Sequence, residues 1–275
     1  MYTSHRLYYE RNGKGEPMVL FPGTGSYVRA WDPVLPFLTE HYEVITVDLP
    51  GFGKSADAAD ALESFETLMA SIVTFLDELE LEQPHTGGNS VGGWIALELA
   101  KMRRARSAVA LAPCGLWKKG APRYIDIMTR LSYRTAVMLH PWGHAVLQPA
   151  PLRTLLMSHS FARPWAMTPQ EAHGIVRNMR TSPGTHTAFA MMRDARFTGG
   201  QEIDVPVTVA FGQHDRALFW PQRRCDELPE HTVWKTIPGC GHVPMSDQPE
   251  RVARVILEGA AAADDAAMLL SARSS

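Results

Sequence analysis

Charge of one sign is not in excess in this chain: 27 basic residues face 29 acidic ones. No overall field therefore favours nucleic acid or an anionic membrane as a partner. Long hydrophobic runs are missing too, since no stretch reaches the ~18 apolar residues of a membrane-spanning helix. The opening residues, Met1-Tyr2-Thr3-Ser4-His5-Arg6, lack the basic start and apolar core of a secretory signal. A soluble, cytoplasmic protein is expected. Cysteines are few, and Cys114, Cys225 and Cys240 have neither metal-ligand spacing nor the even number of a disulfide framework. Reduced, buried thiols are expected, and neither a metal nor an organic cofactor is implied. What remains is ordinary globular composition, with 45% hydrophobic and 20% charged residues over 275 positions. Such a chain suffices for one core with an insertion.

Short apolar runs alternate with helical patterns, the signature of an α/β protein with a mostly parallel central sheet flanked by helices. Expected strands are 7–10, 18–21, 44–47, 85–88, 108–112, 205–211 and 232–237. Apolar residues at Leu62, Phe65, Leu68, Met69, Ile72, Val73, Leu76 and Leu79 recur at helical spacing and predict a helix over 62–81. Between 115 and 200 the rhythm breaks: helical segments follow one another, interrupted by prolines such as Pro122, Pro141, Pro149 and Pro169. This stretch is expected to be a helical cap on a core made of residues 1–114 and 201–275. A last helix is expected over 248–261, with the alanine-rich tail extending or fraying from it. Internal repeats and a linker to a second domain are absent.

Chemistry is concentrated at the ends of three expected strands. Gly88-Asn89-Ser90-Val91-Gly92 lies between a short strand and the helical run from Trp94 to Ala100, where a Gly-x-Ser-x-Gly turn exposes a serine hydroxyl. A hydroxyl is a weak nucleophile, so it requires a base, and the base requires a group to orient it. His242, in the loop Gly239-Cys240-Gly241-His242, follows the last strand and is the candidate base. Asp215, in Gly212-Gln213-His214-Asp215, follows the strand before it and is the candidate orienter. His214 is expected to be structural. Asp247, with Pro249-Glu250, is expected to place negative charge at the start of the last helix. An oxyanion needs donors as well, for which the backbone N–H groups of Val91 and Thr24 are the candidates.

With these pieces in place, the chain resembles the α/β-hydrolase superfamily over nearly its whole length. The resemblance rests on Phe21-Pro22-Gly23-Thr24-Gly25, Asp48-Leu49-Pro50-Gly51-Phe52-Gly53-Lys54-Ser55, the elbow at Ser90, Asp215, and Gly241-His242. It implies an α/β-hydrolase fold with a helical cap and a Ser90–His242–Asp215 triad acting on a small-molecule carboxylic ester. One departure is Pro22, where many relatives have histidine. A serine at the elbow speaks against dehalogenases and epoxide hydrolases, which use aspartate there. The Gly-Asn-Ser-x-Gly-Gly form also resembles carbon–carbon hydrolases of aromatic ring-cleavage products, although Val243 stands where those usually carry tryptophan. A hydrolase-like receptor with little turnover is the alternative from another class.

The expected cap is basic, with eleven Lys or Arg against Asp126, Glu171 and Asp194, while the remainder is correspondingly acidic. Docking of a basic cap on an acidic body is the simpler expectation. The sharper one is that one or two of its arginines enter the cleft and hold a carboxylate-bearing substrate. The cap is also rich in Trp and Met, among them Trp117, Trp142, Trp165, Met128, Met138, Met167, Met191 and Met192. These side chains suit either an apolar pocket or simple packing.

Overall fold

A computed structural model describes residues 7–117, 122–139, 142–194, 196–218 and 225–273. Lys118 and Lys119, counted in the basic segment, lie outside the described residues, as do the side chains of Asp126, Asp194 and Cys225.

Seven strands form one sheet: β1 (Tyr9–Asn12), β2 (Pro17–Phe21), β3 (Glu43–Val47), β4 (His85–Asn89), β5 (Ser107–Leu111), β6 (Val207–Gly212) and β7 (Val233–Ile237). Their order is β1-β3-β2-β4-β5-β6-β7. β1 runs antiparallel to β3, and every other pairing is parallel. This is the expected α/β architecture, with strand ends displaced by one or two residues.

Strand geometry explains why the central strands β2, β3, β5 and β6 are mostly apolar and buried. Successive side chains point to opposite faces, and both faces of a parallel sheet are covered. Val19, Phe21, Ile45, Val47, Ala108 and Ala110 join one buried cluster. Their neighbours Met18, Leu20, Val44, Val109 and Leu111 join the other. Helices α1 (Phe65–Glu78) and α2 (Val91–Lys101) cover the first face through Leu68, Ile72, Leu76 and Ile95. The second is covered by Trp31 and, through Val252, Ile256 and Ala260, by the C-terminal helix.

α1 begins three residues later than its apolar stripe suggests. Leu62 ends a 3-10 segment, and Ser64 with Thr67 forms a capping box that fixes the true start. Between β5 and β6 the described residues form helices without a strand: α3 (Arg123–Leu139), α4 (Ala150–Met157), α5 (Pro169–Thr181) and α6 (Gly184–Asp194), besides shorter turns. The C-terminal helix, α7 (Pro249–Arg273), carries the alanine-rich tail as regular helix, since a run of Ala, Leu and Met favours it. No helix among the described residues is long and apolar enough to cross a membrane.

Candidate active site

β4 ends at Asn89, and α2 starts at Val91, so Ser90 must reverse the chain in a single residue. It does so at φ +57° and ψ −114°, a conformation disfavoured for any residue with a Cβ. Hydrogen bonds on both sides hold it there: Ser90 N–H donates to Leu111 O at 2.9 Å, and Ser90 O accepts from Cys114 N–H at 3.1 Å. The turn closes only because its flanks are glycine. A Cβ on Gly92 would lie 2.0 Å from Phe21 O, and one on Gly88 would lie 2.2 Å from Gly92 itself. The same approach brings the loop after β2 onto the turn, where a Cβ on Gly23 would lie 3.2 Å from Ser90 Cβ. The N–H groups of Thr24 and Val91 donate to no protein acceptor among the described residues. The Thr24 hydroxyl lies 3.8 Å from Met192 Sδ.

β6 delivers Asp215 and β7 delivers the loop bearing His242. Asp215 Oδ2 accepts from His242 Nδ1–H at 3.1 Å. Its Oδ1 accepts from the N–H groups of Ala217 and Leu218 at 2.9 and 2.8 Å. The carboxylate is thus fixed by three donors, with its side chain 2% exposed and that of His242 12% exposed. Since Nδ1 faces Asp215, Nε2 is the nitrogen left to exchange a proton.

Ser90 Oγ does not complete the chain of bonds in this state. It lies 3.1 Å from Cys114 Sγ, and no hydrogen bond joins it to His242 among the described residues. Burial pushes the Cys114 thiol up to about 12, so it is neutral and no rival nucleophile. Cys240 is raised to about 12 by the same cause. Both are free and buried, as expected.

Three residues beyond the sequence expectation tie the site together. Asn89 Nδ2–H donates to His242 O at 2.8 Å and to Leu111 O at 3.2 Å, linking the serine turn to the histidine loop. Asp247 departs from the helix-end role expected of it. Its Oδ2 accepts from Gly241 N–H at 2.8 Å and Ala162 N–H at 2.9 Å, and its Oδ1 from Arg163 N–H at 2.8 Å. It binds the histidine loop to the helical segment through these three bonds, and the residue is 5% exposed. Asp48 Oδ1 and Oδ2 accept from Val28 N–H and Lys54 N–H at 2.7 and 2.8 Å, bracing the loop after β2. Its burial raises the pKa, and those two bonds oppose the rise. His214 is exposed; its N–H donates to Cys240 O at 2.8 Å, a structural contact.

The Trp and Met side chains divide between two fates. Trp117, Met167, Met191 and Met192 are buried in packing, whereas Trp142, Trp165 and Met138 are exposed. Met128 lines a cavity of about 360 Å³ between α3, α4 and α5, and among the described residues no lysine or arginine lines it. Arg130, Arg134 and Arg193 line a separate cavity with Tyr133 and His186. Arg153 is buried and donates to Leu147 O and Gln148 O, closing a turn. No cluster of three His, Cys, Asp or Glu suited to a metal ion occurs among the described residues.

Known proteins resemble the chain over most of its length. The epoxide hydrolase EphH of Mycobacterium tuberculosis is 30% identical over 190 residues, 66% of this chain and 87% of that protein. The pimeloyl-[acyl-carrier protein] methyl ester esterase of Methylococcus capsulatus is 28% identical, covering 92% of this chain and 97% of its own. The 2-hydroxy-6-oxo-2,4-heptadienoate hydrolase of Pseudomonas putida is 27% identical over 92% and 91%. Among solved structures, carboxylesterase CesB of Bacillus subtilis superposes with a TM-score of 0.70 at 20% identity, covering 92% of this chain and 87% of that one. The sequence profile of the alpha/beta hydrolase family matches residues 18–255, and the chain belongs to that family.

Proposed function

We propose that the protein hydrolyses a carboxylic ester of a small, largely apolar molecule, with Ser90 as nucleophile, His242 as base and Asp215 as its orienter. The observation that carries this reading is the Asp215–His242 hydrogen bond at 3.1 Å, made by a carboxylate already immobilised by two backbone donors. Rotation about χ1 moves Ser90 Oγ from Cys114 towards His242 Nε2. Catalytic contacts commonly tighten in this way once substrate is bound. Oγ then attacks the ester carbonyl while Nε2 takes its proton, and the N–H groups of Thr24 and Val91 hold the oxyanion. Collapse of the tetrahedral intermediate expels the alcohol, which receives the proton from His242. Water, deprotonated by His242, then releases the acid from the acyl-enzyme.

Residues 115–200 serve as the lid of this site, on a core of 1–114 and 201–275. The free thiols of Cys114 and Cys240 suit a reducing, cytoplasmic setting. Similarity to an esterase over nearly the full length supports the ester reading. Epoxide chemistry, named for the mycobacterial relative, is not adopted, because the elbow residue here is serine.

Carbon–carbon hydrolysis is the second reading, favoured by Gly88-Asn89-Ser90-Val91-Gly92-Gly93 and by the Pseudomonas putida relative. Against it, no lysine or arginine among the described residues lines the cavity beside the site to hold a substrate carboxylate. Turnover of short p-nitrophenyl esters, set beside cleavage of a ring-cleavage dienoate, separates these readings. Activity abolished in Ser90→Ala supports ester hydrolysis. A well-folded wild type that is inert to esters yet stabilised by small ligands supports a receptor instead.

A further inference from the structure

The cavity between α3, α4 and α5 is walled by segments that are bonded to the candidate site at two places. Met179 lines it, and its neighbour Asn178 donates Nδ2–H to Gly25 O at 2.8 Å. Ser160 lines the opposite side, and its carbonyl accepts from Val243 N–H at 2.9 Å, next to His242. The segments that wall the cavity are thus bonded both to the loop after β2 and to the histidine loop. Leu131 and Leu155 at its edge are exposed, which opens it to solvent. Most of its wall is apolar, including Met128, Leu156, Ile175 and Val176. A volume of about 360 Å³ is within the range of small-molecule sites.

Within this wall one polar pair is built across two elements. Ser132 Oγ of α3 lies 3.2 Å from Nε2 of His159, which follows α4. Burial depresses the His159 pKa, and the neighbouring His242 does so further, while a bond to the Leu156 backbone opposes both. The ring is therefore neutral near pH 7. Whichever of the two groups donates, Ser132 Oγ keeps a lone pair that can accept a further hydrogen bond. Ser132 lines the cavity, so that acceptor belongs to its wall. A neutral acceptor in a cavity lined by no lysine or arginine among the described residues suits a hydroxyl donor and disfavours a carboxylate.

We propose that this cavity is a distal subsite for the substrate chain, in which Ser132, held by His159, accepts a hydrogen bond from a hydroxyl on that chain. The identity of the chain as part of an ester rests on the proposed function; the subsite itself does not need turnover. Its test therefore uses the Ser90→Ala protein, in which binding is measured by calorimetric titration without hydrolysis. Methyl esters of straight-chain acids of about four to ten carbons are compared with their ω-hydroxy counterparts. The best-fitting ω-hydroxy ester is expected to bind about fivefold tighter than its plain partner. Adding Ser132→Ala should abolish that preference while leaving the plain ester's affinity unchanged. Adding His159→Gln, whose amide oxygen can still accept from Ser132, should retain part of it. Equal binding of the two series throughout, or a preference that survives Ser132→Ala, overturns the subsite. A preference that behaves as expected in a protein whose wild type hydrolyses no ester upholds the subsite and sinks the reaction.

Discussion

At the scale of single residues, the proposed reaction assigns some groups to react and others to aim them. Asp215→Asn keeps the packing but replaces an acceptor with a donor facing His242 Nδ1, which favours the wrong imidazole tautomer. A fall in kcat of about 10⁴-fold, with KM little changed, is expected from ester kinetics. Asn89→Ala cuts the link from the serine turn to His242 O and should lower kcat by about tenfold, without preventing reaction of Ser90 with a phosphonate. Cys114 lies against Ser90 Oγ, and its thiol is neutral through burial. Cys114→Ala should therefore retain activity within about threefold, because the residue supplies no proton and no charge. Loss of activity in that variant, with folding intact, would make the thiol a participant. The positions of Ser90, Asp215 and His242 in loops that follow strands were legible from sequence, because each lies close to glycines after an expected strand. Asn89, Asp247 and Cys114 were not, since their roles depend on contacts with partners 153, 85 and 24 residues away.

At the scale of elements, the strands were legible because both faces of the sheet are buried and the runs are apolar. β4 was the exception. His85-Thr86-Gly87-Gly88-Asn89 has no large apolar residue, and only the motif that follows it marks the strand. The beginning of α1 was misplaced because Leu62 is buried by tertiary contacts while a capping box three residues on starts the helix. Ser64→Ala should cost about 1 kcal/mol in denaturant unfolding. The connection made by Asp247 is larger. Its carboxylate satisfies N–H groups of Gly241, Ala162 and Arg163, so Asp247→Ala strands three donors from two segments. A loss of about 2–4 kcal/mol is expected, together with lower kcat from a loosened histidine loop. Unchanged stability would show that water replaces the carboxylate there.

At the scale of the whole molecule, the far end of the sheet holds a second polar cluster. His85 Nδ1 is 2.9 Å from Ser107 Oγ, and its Nε2 is 3.3 Å from Asp264 Oδ1, without hydrogen-bond alignment. Tyr42 O–H donates to the same carboxylate at 3.0 Å. Although its residue types match those of a triad, Ser107 and His85 are buried, so the cluster fastens α7 to the sheet. Burial holds the His85 pKa below its usual value, with Arg106 adding to the effect, while Asp264 and Glu16 oppose it. The unfolded chain thus binds the proton more readily. His85 contributes its stability above about pH 6.5, and that contribution is lost as pH falls through the depressed folded value. His159 is depressed by burial as well and adds to the same slope. A melting-temperature series at constant ionic strength should fall on acidification below about pH 6.5, less steeply in His85→Gln. Identical slopes would remove His85 from the account. The candidate site is itself a property of the whole molecule, because Ser90, Asp215 and His242 follow β4, β6 and β7 and meet only when the sheet is complete. The most direct measurement is therefore intact-mass labelling by a small fluorophosphonate in the wild type, Ser90→Ala and His242→Ala. One adduct per wild-type chain, absent from Ser90→Ala and strongly slowed in His242→Ala, is the result expected of a serine activated by His242. A folded wild type that takes no label, or labelling that persists without Ser90, would contradict it.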